Sequence, residues 1–294
     1  MQQLGTLFAA LLGLAFGSFL NVVLVRFPED ESLSTPRSHC RNCAHTLAWW
    51  ENLPVLSWII LRARCRQCQT PISIRYPLIE LTIGILWAWV WIKFSQPLFA
   101  DDTFTTPHQL TNALLQLIGH ALFAWLLVAL AALDAEYFWL PDWFTLPGIV
   151  LGYAVTIALA WTRNPGHHPF DWSAEAWPPF VELLAPAAVV LVIRLAYWLV
   201  RRKEGMGLGD AKLMAMLGAW LGLIGALECF ALAVFGATAA AFLSLAASAI
   251  RRDKAETREW AKAPLPLGTF LCIAALSEIF YPDWPWELWT RWTM

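Results

Sequence analysis

The stretch "NALLQLIGHALFAWLLVALAAL" (Asn112–Leu133) contains no Asp, Glu, Lys or Arg, and Asp134 follows it directly. About 20 apolar residues are enough for a helix to cross the hydrocarbon core of a bilayer, so we expect a transmembrane helix that ends at Asp134. The whole chain shares this character, with 59% hydrophobic residues, 14% charged residues and a mean hydropathy of +0.53. Soluble proteins have roughly 45–50% apolar and 25% charged residues. The composition therefore predicts an all-α polytopic membrane protein.

The same criterion identifies about eight candidate spans. They lie near residues 4–25, 77–94, 112–133, 143–162, 177–200, 211–226, 227–250 and 265–282. Only Ala226–Glu228 can separate the sixth and seventh spans, so these form either a tight hairpin or one long, bent element. The first span lacks a basic n-region and a clear cleavage site, and we expect it to remain as a helix rather than to be removed as a signal peptide.

Basic residues are concentrated in alternate loops. The loops after the first, fifth and seventh spans carry Arg26, Arg37, Arg41, Arg62, Arg64, Arg66, Arg75, then Arg201, Arg202, Lys203, then Arg251, Arg252, Lys254, Arg258 and Lys262. Cytoplasmic loops of membrane proteins carry an excess of Lys and Arg, so we expect these loops in the cytoplasm and both termini outside. The net charge of -2 gives no reason to expect a nucleic-acid partner.

The first of these loops contains two C-x-x-C motifs, "CRNC" (Cys40, Cys43) and "CRQC" (Cys65, Cys68). This spacing is typical of a zinc ribbon, in which four thiolates close a tetrahedral shell and leave no position for water. We therefore predict a structural zinc site. Redox chemistry and unligated thiols remain alternatives, whereas a reducing compartment disfavours disulfides. Cys229 and Cys272 lie singly in apolar segments and are expected to be buried.

Two aspartates are expected at one face of the membrane. Asp134 ends the third span in "LVALAALDAEYFWLPDW" (Leu127–Trp143), and Asp210 begins the sixth in "EGMGLGDAKL" (Glu204–Leu213). The distribution of arginine places both at the cytoplasmic side. Two carboxylates in a cleft of low dielectric constant share a proton, so the ionised one can activate water while the protonated one polarises a carbonyl. The pattern indicates hydrolysis of a carbonyl substrate.

The glycines before Asp210 fit this interpretation. Gly205, Gly207 and Gly209 allow close backbone approach, so an extended substrate can lie against the loop. A glycine-rich nucleotide loop would need a preceding strand in a βαβ unit, which the sequence does not predict. A lone aspartate at the end of a span can also be an interfacial cap or an ion-pair partner, and Lys212 is an available partner for Asp210.

Four ordered motifs resemble those of bacterial prepilin peptidases, which are membrane aspartic peptidases of the GxGD type. "GSFLNVVLVRFP" (Gly17–Pro28) resembles their N-terminal signature, "LDAEYFWLPD" (Leu133–Asp142) one aspartate motif, and "GMGLGDAKL" (Gly205–Leu213) the GxGD motif. The C-x-x-C loop followed by "ISIRYPLIELTIGILW" (Ile72–Trp87) is similar to the bifunctional branch of the family. The resemblance extends over most of the chain, from Gly17 to about Gly268.

The resemblance implies an enzyme that removes the leader from type IV prepilins and type II secretion pseudopilin precursors at the cytoplasmic face of the bacterial inner membrane. It also implies N-methylation of the new N-terminal residue, usually phenylalanine, by S-adenosylmethionine. Carried over to this sequence, Asp134 and Asp210 match the catalytic aspartates, and Gly207 and Gly209 match the glycines of the loop against which the substrate backbone lies. The four loop cysteines match the zinc ligands. The chain is then expected to divide into a first helix (1–25), a zinc loop (26–76) and a transmembrane peptidase domain (77–294).

The methyl-donor site is the least defined part of this interpretation. The predicted cytoplasmic segments contain no glycine-rich cofactor loop, and Arg75 and Glu80 are the candidates for contact with the donor or for pairing with each other. A peptidase without methyltransferase activity is an alternative within the family. Outside it, the alternatives are a transporter in which the two aspartates relay protons or bind cations, and a thiol–quinone redox protein.

Overall fold

The computed structural model describes residues 2–98, 107–163, 176–203, 206–250 and 265–281, and all regular elements within them are helical apart from two isolated β-bridges. The α-helices are α1 (Gln2–Arg26), α2 (Leu56–Ile60), α3 (Arg75–Phe94), α4 (Pro107–Tyr137), α5 (Asp142–Arg163), α6 (Trp177–Arg201), α7 (Leu208–Ile250) and α8 (Leu267–Phe280). Short 3-10 helices occupy Phe27–Glu29, Trp49–Asn52 and Gln96–Leu98.

Six helices in the described ranges, α1 and α3 to α7, are long and apolar enough to cross a membrane. Large apolar side chains such as Phe8, Phe16 and Val192 are exposed on these helices. Extended apolar surface of this kind is rare on soluble monomers and is suited to contact with lipid. The expected all-helical membrane class is therefore confirmed. A total of eight spans would also require both parts of α7 and the shorter α8, and that number stays a prediction.

The sixth and seventh candidate spans form one bent element, α7. The bend is at Gly222, which has φ 75° and ψ 177°. Of the two alternatives from the sequence, the long bent element is found rather than a tight hairpin, and residues 226–228 are helical. Gly222 is the position of the bend because only glycine adopts this backbone conformation at little cost. A Cβ atom there would also lie 3.4 Å from Oε2 of Glu182 on α6.

The chain forms two compact units, residues 1–129 and 130–294. In the first unit, α1 packs along α3 through a seam of small residues. A Cβ atom at Gly17 would lie 2.7 Å from Cα of Glu80, and one at Gly13 would lie 2.8 Å from the carbonyl oxygen of Ile83. Gly13 and Gly17 form a Gly-x-x-x-Gly pair, which allows the backbones of two membrane helices to approach closely.

Indole groups join the first part of α4 to this pair of helices. Trp87 of α3 donates from Nε1 to the carbonyl oxygen of Ala121 at 3.0 Å, and Trp125 of α4 donates to that of Phe16 at 3.2 Å. Trp87 is buried, and a buried indole N–H usually has such an acceptor.

In the second unit, α7 packs against α5, α6 and α8. Trp220 Nε1 donates to the carbonyl oxygen of Gly148 at 2.9 Å, and Thr156 Oγ1 donates to that of Ala219 at 2.9 Å, so α5 and α7 are joined at two levels. Met214 and Leu217 are fully buried on α7. The packing holds the first turn of α7, which contains Asp210, in place.

The glycine seam generates the first testable prediction. Gly17→Val places a branched side chain against the backbone of α3, and overpacking of this kind costs about 1–3 kcal/mol. We expect the midpoint of thermal unfolding in detergent to fall by several degrees. Ala15→Val, at an exposed position of the same helix, is the matched control and should leave the midpoint unchanged. Equal midpoints for the two variants would contradict close packing at Gly17.

Candidate functional site

The cysteine loop folds into two copies of one turn. In the first, Cys40 N donates to the carbonyl oxygen of His45, and Ala44 N donates to that of Cys40, both at 2.9 Å. The same two bonds recur around Cys65. The residue after each second cysteine, Ala44 or Gln69, has a positive φ, of 56° and 58° respectively. This structural repeat was not predicted, although the C-R-x-C pattern shared by both motifs is a signal for it.

The two turns bring the four cysteine sulfurs together, all within 4.8 Å of one another. The Sγ atoms of Cys40 and Cys68 are 3.7 Å apart, and those of Cys43 and Cys65 are 3.9 Å apart. Four sulfurs at about 2.3 Å from a zinc ion lie about 3.8 Å from one another at the corners of a tetrahedron. The four thiols are free of disulfide bonds, and their spacing fits a four-coordinate metal such as zinc.

The charges of the cluster also fit a cation. Hydrogen bonds from the side chain and backbone of Thr70 lower the pKa of the Cys68 thiol to about 5. A backbone hydrogen bond at His45 acts to lower the pKa of Cys43, but burial and the neighbouring thiols raise it to about 12. A thiolate at Cys43 is therefore disfavoured at neutral pH unless a cation lies beside it, and a divalent metal supplies that charge.

A cavity of about 450 Å³ lies between the cysteine loop and helices α1 and α3. Its wall includes Asn21, Arg26, Cys40, Cys65, Tyr76 and Glu80. The volume is within the range of about 300–1,000 Å³ that is usual for small-molecule sites. Two of the quoted motifs, Gly17–Pro28 and Ile72–Trp87, thus contribute to one cavity. Arg75 does not line it.

Several polar side chains in this cavity are buried. Asn21 Nδ2 donates to the carbonyl oxygen of Tyr76 at 3.0 Å, and Glu80 Oε2 accepts from Val55 N at 2.7 Å. Two buried acceptors in the described residues of the wall, Asn21 Oδ1 and Glu51 Oε1, have no hydrogen-bond partner. Because buried polar atoms are normally paired, the cavity offers acceptors to a ligand that carries N–H or O–H groups.

In the second unit, Asp134 is buried at the end of α4 and contacts the first turn of α8. Its Oδ2 accepts hydrogen bonds from Thr269 N at 2.7 Å and from Thr269 Oγ1 at 3.1 Å. The backbone N–H groups of a first helical turn lack partners inside the helix and carry the positive end of its dipole. A Cβ atom at Gly268 would lie 3.0 Å from Cγ of Asp134, so the close approach requires glycine there.

Asp210 lies half-buried in the first turn of α7. Its Oδ2 accepts a hydrogen bond from Gly207 N at 3.1 Å, which holds the carboxylate over the glycine loop. Gly207 is exposed. Gly205 lies outside the described residues.

The two aspartates lie close enough to interact electrostatically. Leu140 is buried between their loops. A Cβ atom at Gly209 would lie 3.2 Å from Cβ of Leu140, and one at Gly268 would lie 3.0 Å from its Cδ1. The structure therefore brings Asp134, Asp210 and Gly209 into one site. Two carboxylates so placed can act as a coupled acid and base on a water molecule and a carbonyl group.

The ion-pair alternative for Asp210 does not match the structure. Lys212 Nζ donates instead to Oδ1 of Asp142 at 2.6 Å. The expected burial of Cys229 and Cys272 is confirmed, and both are free thiols.

Sequence reasoning missed two residues of these sites. Thr269 directly follows Gly268 at the start of the last apolar segment, where a hydroxyl next to a glycine was the available signal. Asn21 is an amide inside an apolar span, and polar groups inside membrane spans are costly enough to indicate function. Neither position was singled out.

The described residues contain six helices long and apolar enough to cross a membrane, a four-cysteine cluster and two neighbouring aspartates, a combination that fits a multi-pass membrane peptidase. The chain belongs to the type IV leader peptidase family, whose model matches residues 121–245. The model of the bacterial peptidase A24 N-terminal domain matches residues 11–94.

Relatives with the name prepilin leader peptidase/N-methyltransferase are similar over most of the chain. That of Myxococcus xanthus is 40% identical over 76% of this chain and 60% of its own length. That of Burkholderia pseudomallei is 34% identical over 93% of this chain and 84% of its own length, and that of Pseudomonas putida is 32% identical over 94% and 90%. No solved structure was found to match.

The metal site gives the second prediction. Replacement of Cys40 and Cys43 together by serine should reduce bound zinc from about one ion per chain to near zero in elemental analysis. The loop has little apolar core to compensate its ordering entropy, so amide hydrogen exchange between Cys40 and Pro71 should accelerate.

Cys229→Ser is the control for this experiment, because Cys229 is a buried thiol of the second unit. This variant should keep its zinc. Absence of zinc from the wild-type protein purified without chelator would refute the assignment of the metal.

Proposed function

We propose that the protein removes the leader peptide from type IV prepilins and type II secretion pseudopilin precursors, and then N-methylates the new N-terminal residue, usually phenylalanine. Family membership and the names of the relatives support this substrate class and both activities. The single observation that carries the peptidase assignment is the meeting of Asp134 and Asp210 in one site, each held by a backbone N–H.

In this proposal the aspartates act as one pair. The ionised carboxylate accepts a proton from a water molecule, and the protonated carboxylate donates to the oxygen of the scissile carbonyl. Water oxygen forms the new bond to carbon, the C–N bond breaks, and a proton passes to the leaving amine. Thr269 and Gly207 keep the carboxylates in position throughout, since each donates to one of them.

The glycine loop receives the leader backbone in this proposal. Gly207 is exposed beside the Asp210 carboxylate, and Gly209 leaves room for the close packing of Leu140. Placement of the cleavage site at the cytoplasmic face of the inner membrane is supported by the arginine and lysine clusters of the alternate loops. A basic leader would then stay in the cytoplasm while the hydrophobic helix of the substrate lies in the bilayer.

The cavity of the first unit holds the methyl donor in this proposal. S-adenosylmethionine, when bound, supplies an electrophilic methyl group on a positively charged sulfur. The carboxylates of Glu51 and Glu80 complement a cation, and the unpartnered Asn21 Oδ1 and Glu51 Oε1 can accept from amino and hydroxyl groups. Zinc in the cysteine cluster has a structural role, because Cys40 and Cys65 belong to the cavity wall and a closed shell leaves no position for water.

The third prediction concerns the aspartates. Asp134→Asn and Asp210→Asn each remove one member of the acid–base pair, and general acid–base catalysis contributes about 10²–10⁴-fold to a rate. We expect each variant to lose at least about 100-fold in leader cleavage. The measurement incubates purified enzyme with a prepilin and S-adenosylmethionine and identifies the N-terminus of the product by mass spectrometry.

Asp142→Asn is the control, because Asp142 is an exposed carboxylate of the same unit, paired with Lys212. It should cleave at the wild-type rate. Near-normal cleavage by either Asp134→Asn or Asp210→Asn would refute the catalytic aspartate pair and would favour the alternative in which the two aspartates relay protons.

The fourth prediction separates the two activities. Glu80→Gln keeps an oxygen that can accept from Val55 N but removes the charge, so KM for S-adenosylmethionine should rise about 10-fold, as expected for loss of a charge-assisted contact. Leader cleavage should be unchanged. Glu31→Gln, at an exposed carboxylate of the cysteine loop in the same unit, is the control. An unchanged KM would show that Glu80 only holds Val55, and a wild-type product that is cleaved but never methylated would favour the peptidase without methyltransferase activity.

A further inference from the structure

We infer that Arg194 of α6 is a positioning residue for Asp210 and that it acts through the peptide group between Met206 and Gly207. The inference rests on the proposed role of Asp210 in leader cleavage. It concerns a charged side chain of a membrane helix that the proposed chemistry does not otherwise use.

Two hydrogen bonds connect Arg194 to Asp210 through one peptide group. Arg194 Nη1 donates to the carbonyl oxygen of Met206, and Gly207 N donates to Oδ2 of Asp210 at 3.1 Å. The carbonyl of Met206 and the N–H of Gly207 belong to the same planar peptide group. A guanidinium therefore holds one end of this group while the other end holds the carboxylate. An anchored carbonyl sets the direction of the N–H, and with it the position of Asp210.

The surroundings of Arg194 argue against a side chain whose charge is simply solvated by water. Arg194 lies inside a membrane span, and its sequence neighbours Ile193 and Leu195 are exposed apolar residues. A charged side chain in such a span is costly and generally marks a function, unless it reaches the water at the helix end. The Arg194 side chain is half-buried and reaches a specific backbone carbonyl of the loop before α7.

The chemistry of this relay suits arginine. A guanidinium is a delocalised cation that presents a rigid, planar set of hydrogen-bond donors. A charge-assisted bond to the carbonyl polarises the peptide group and strengthens its N–H as a donor, because hydrogen bonds in a chain reinforce one another. Gly207 lies in the loop just before α7, and its backbone freedom would otherwise let the carboxylate move.

Because Arg194 acts on Asp210 rather than on substrate, its loss should appear in kcat rather than in KM. A displacement of about 1 Å at a catalytic group can cost roughly 100-fold in rate. We expect Arg194→Met to lower kcat for leader cleavage by about 10- to 100-fold with KM within about twofold of wild type.

The experiment compares four variants of the full-length protein on a prepilin substrate. Arg194→Lys keeps a cation and a donor and should recover most of the kcat that Arg194→Met loses. Arg194→Gln keeps a shorter donor without charge and should resemble Arg194→Met, so the conclusion does not depend on the folding of one variant. Arg201→Met removes a charge from an exposed position of the same helix and should cleave as wild type does.

Methylation of a pilin that was cleaved beforehand is the second readout, because that step does not use Asp210 and should be unaffected by every variant. A rise in KM with unchanged kcat would show that Arg194 binds substrate and would overturn the inference. Equal losses in Arg194→Met and Arg201→Met, or no recovery with lysine, would also overturn it. If Asp210→Asn is inactive while Arg194→Met behaves as wild type, only the positioning role of Arg194 is refuted. If Asp210→Asn is active, the proposed catalytic role of Asp210 is itself refuted.

Discussion

A carboxylate at the edge of an apolar helix must be hydrogen-bonded, and Asp134 satisfies this requirement at the first turn of α8. Thr269 supplies both donors, one from the backbone and one from the hydroxyl. This contact determines the rest of the site: it draws α8 against the end of α4, requires glycine at position 268, and brings Leu140 between the two aspartate loops. Asp210 then meets Asp134 because α7 packs against α8. The energetic demand of one buried acid thus organises elements that are far apart in the sequence.

The two units use different physical means to hold their functional groups. In the first unit, a glycine seam brings α1 and α3 together, and two cysteine turns close the loop between them. Its cavity is lined by polar groups that approach from the membrane helices and from the loop. The described residues of the second unit contain no cluster of metal-ligating side chains. This unit is held by helix packing and by hydrogen bonds from indole and hydroxyl groups to backbone carbonyls. The two units therefore depend on different local interactions.

Sequence reasoning succeeded where a single stretch of chain contained the signal. The apolar run before Asp134 gave the end of α4 within a few residues, and the C-x-x-C spacing gave the four-cysteine cluster. It failed where the answer depended on a partner from elsewhere in the chain. The bend of α7 lies at Gly222, beside Glu182 of another helix, and nothing in the local hydropathy marks it. Thr269 is identified only by its bonds to Asp134. Glu80 lines the cavity of the first unit whereas Arg75 does not, and this difference depends on contacts that the local sequence does not show.

The short length of α8 bears on the supply of water. Its 14 residues extend about 21 Å, less than the roughly 30 Å of a hydrocarbon core. The part of α7 before the bend at Gly222 is similarly short. Hydrophobic mismatch of this size is relieved by local thinning of the bilayer around the shorter elements. Lipid headgroups and their hydration shell would then approach the helix ends that hold the carboxylates, so a reaction that consumes water could proceed beside a membrane without an aqueous channel through the protein.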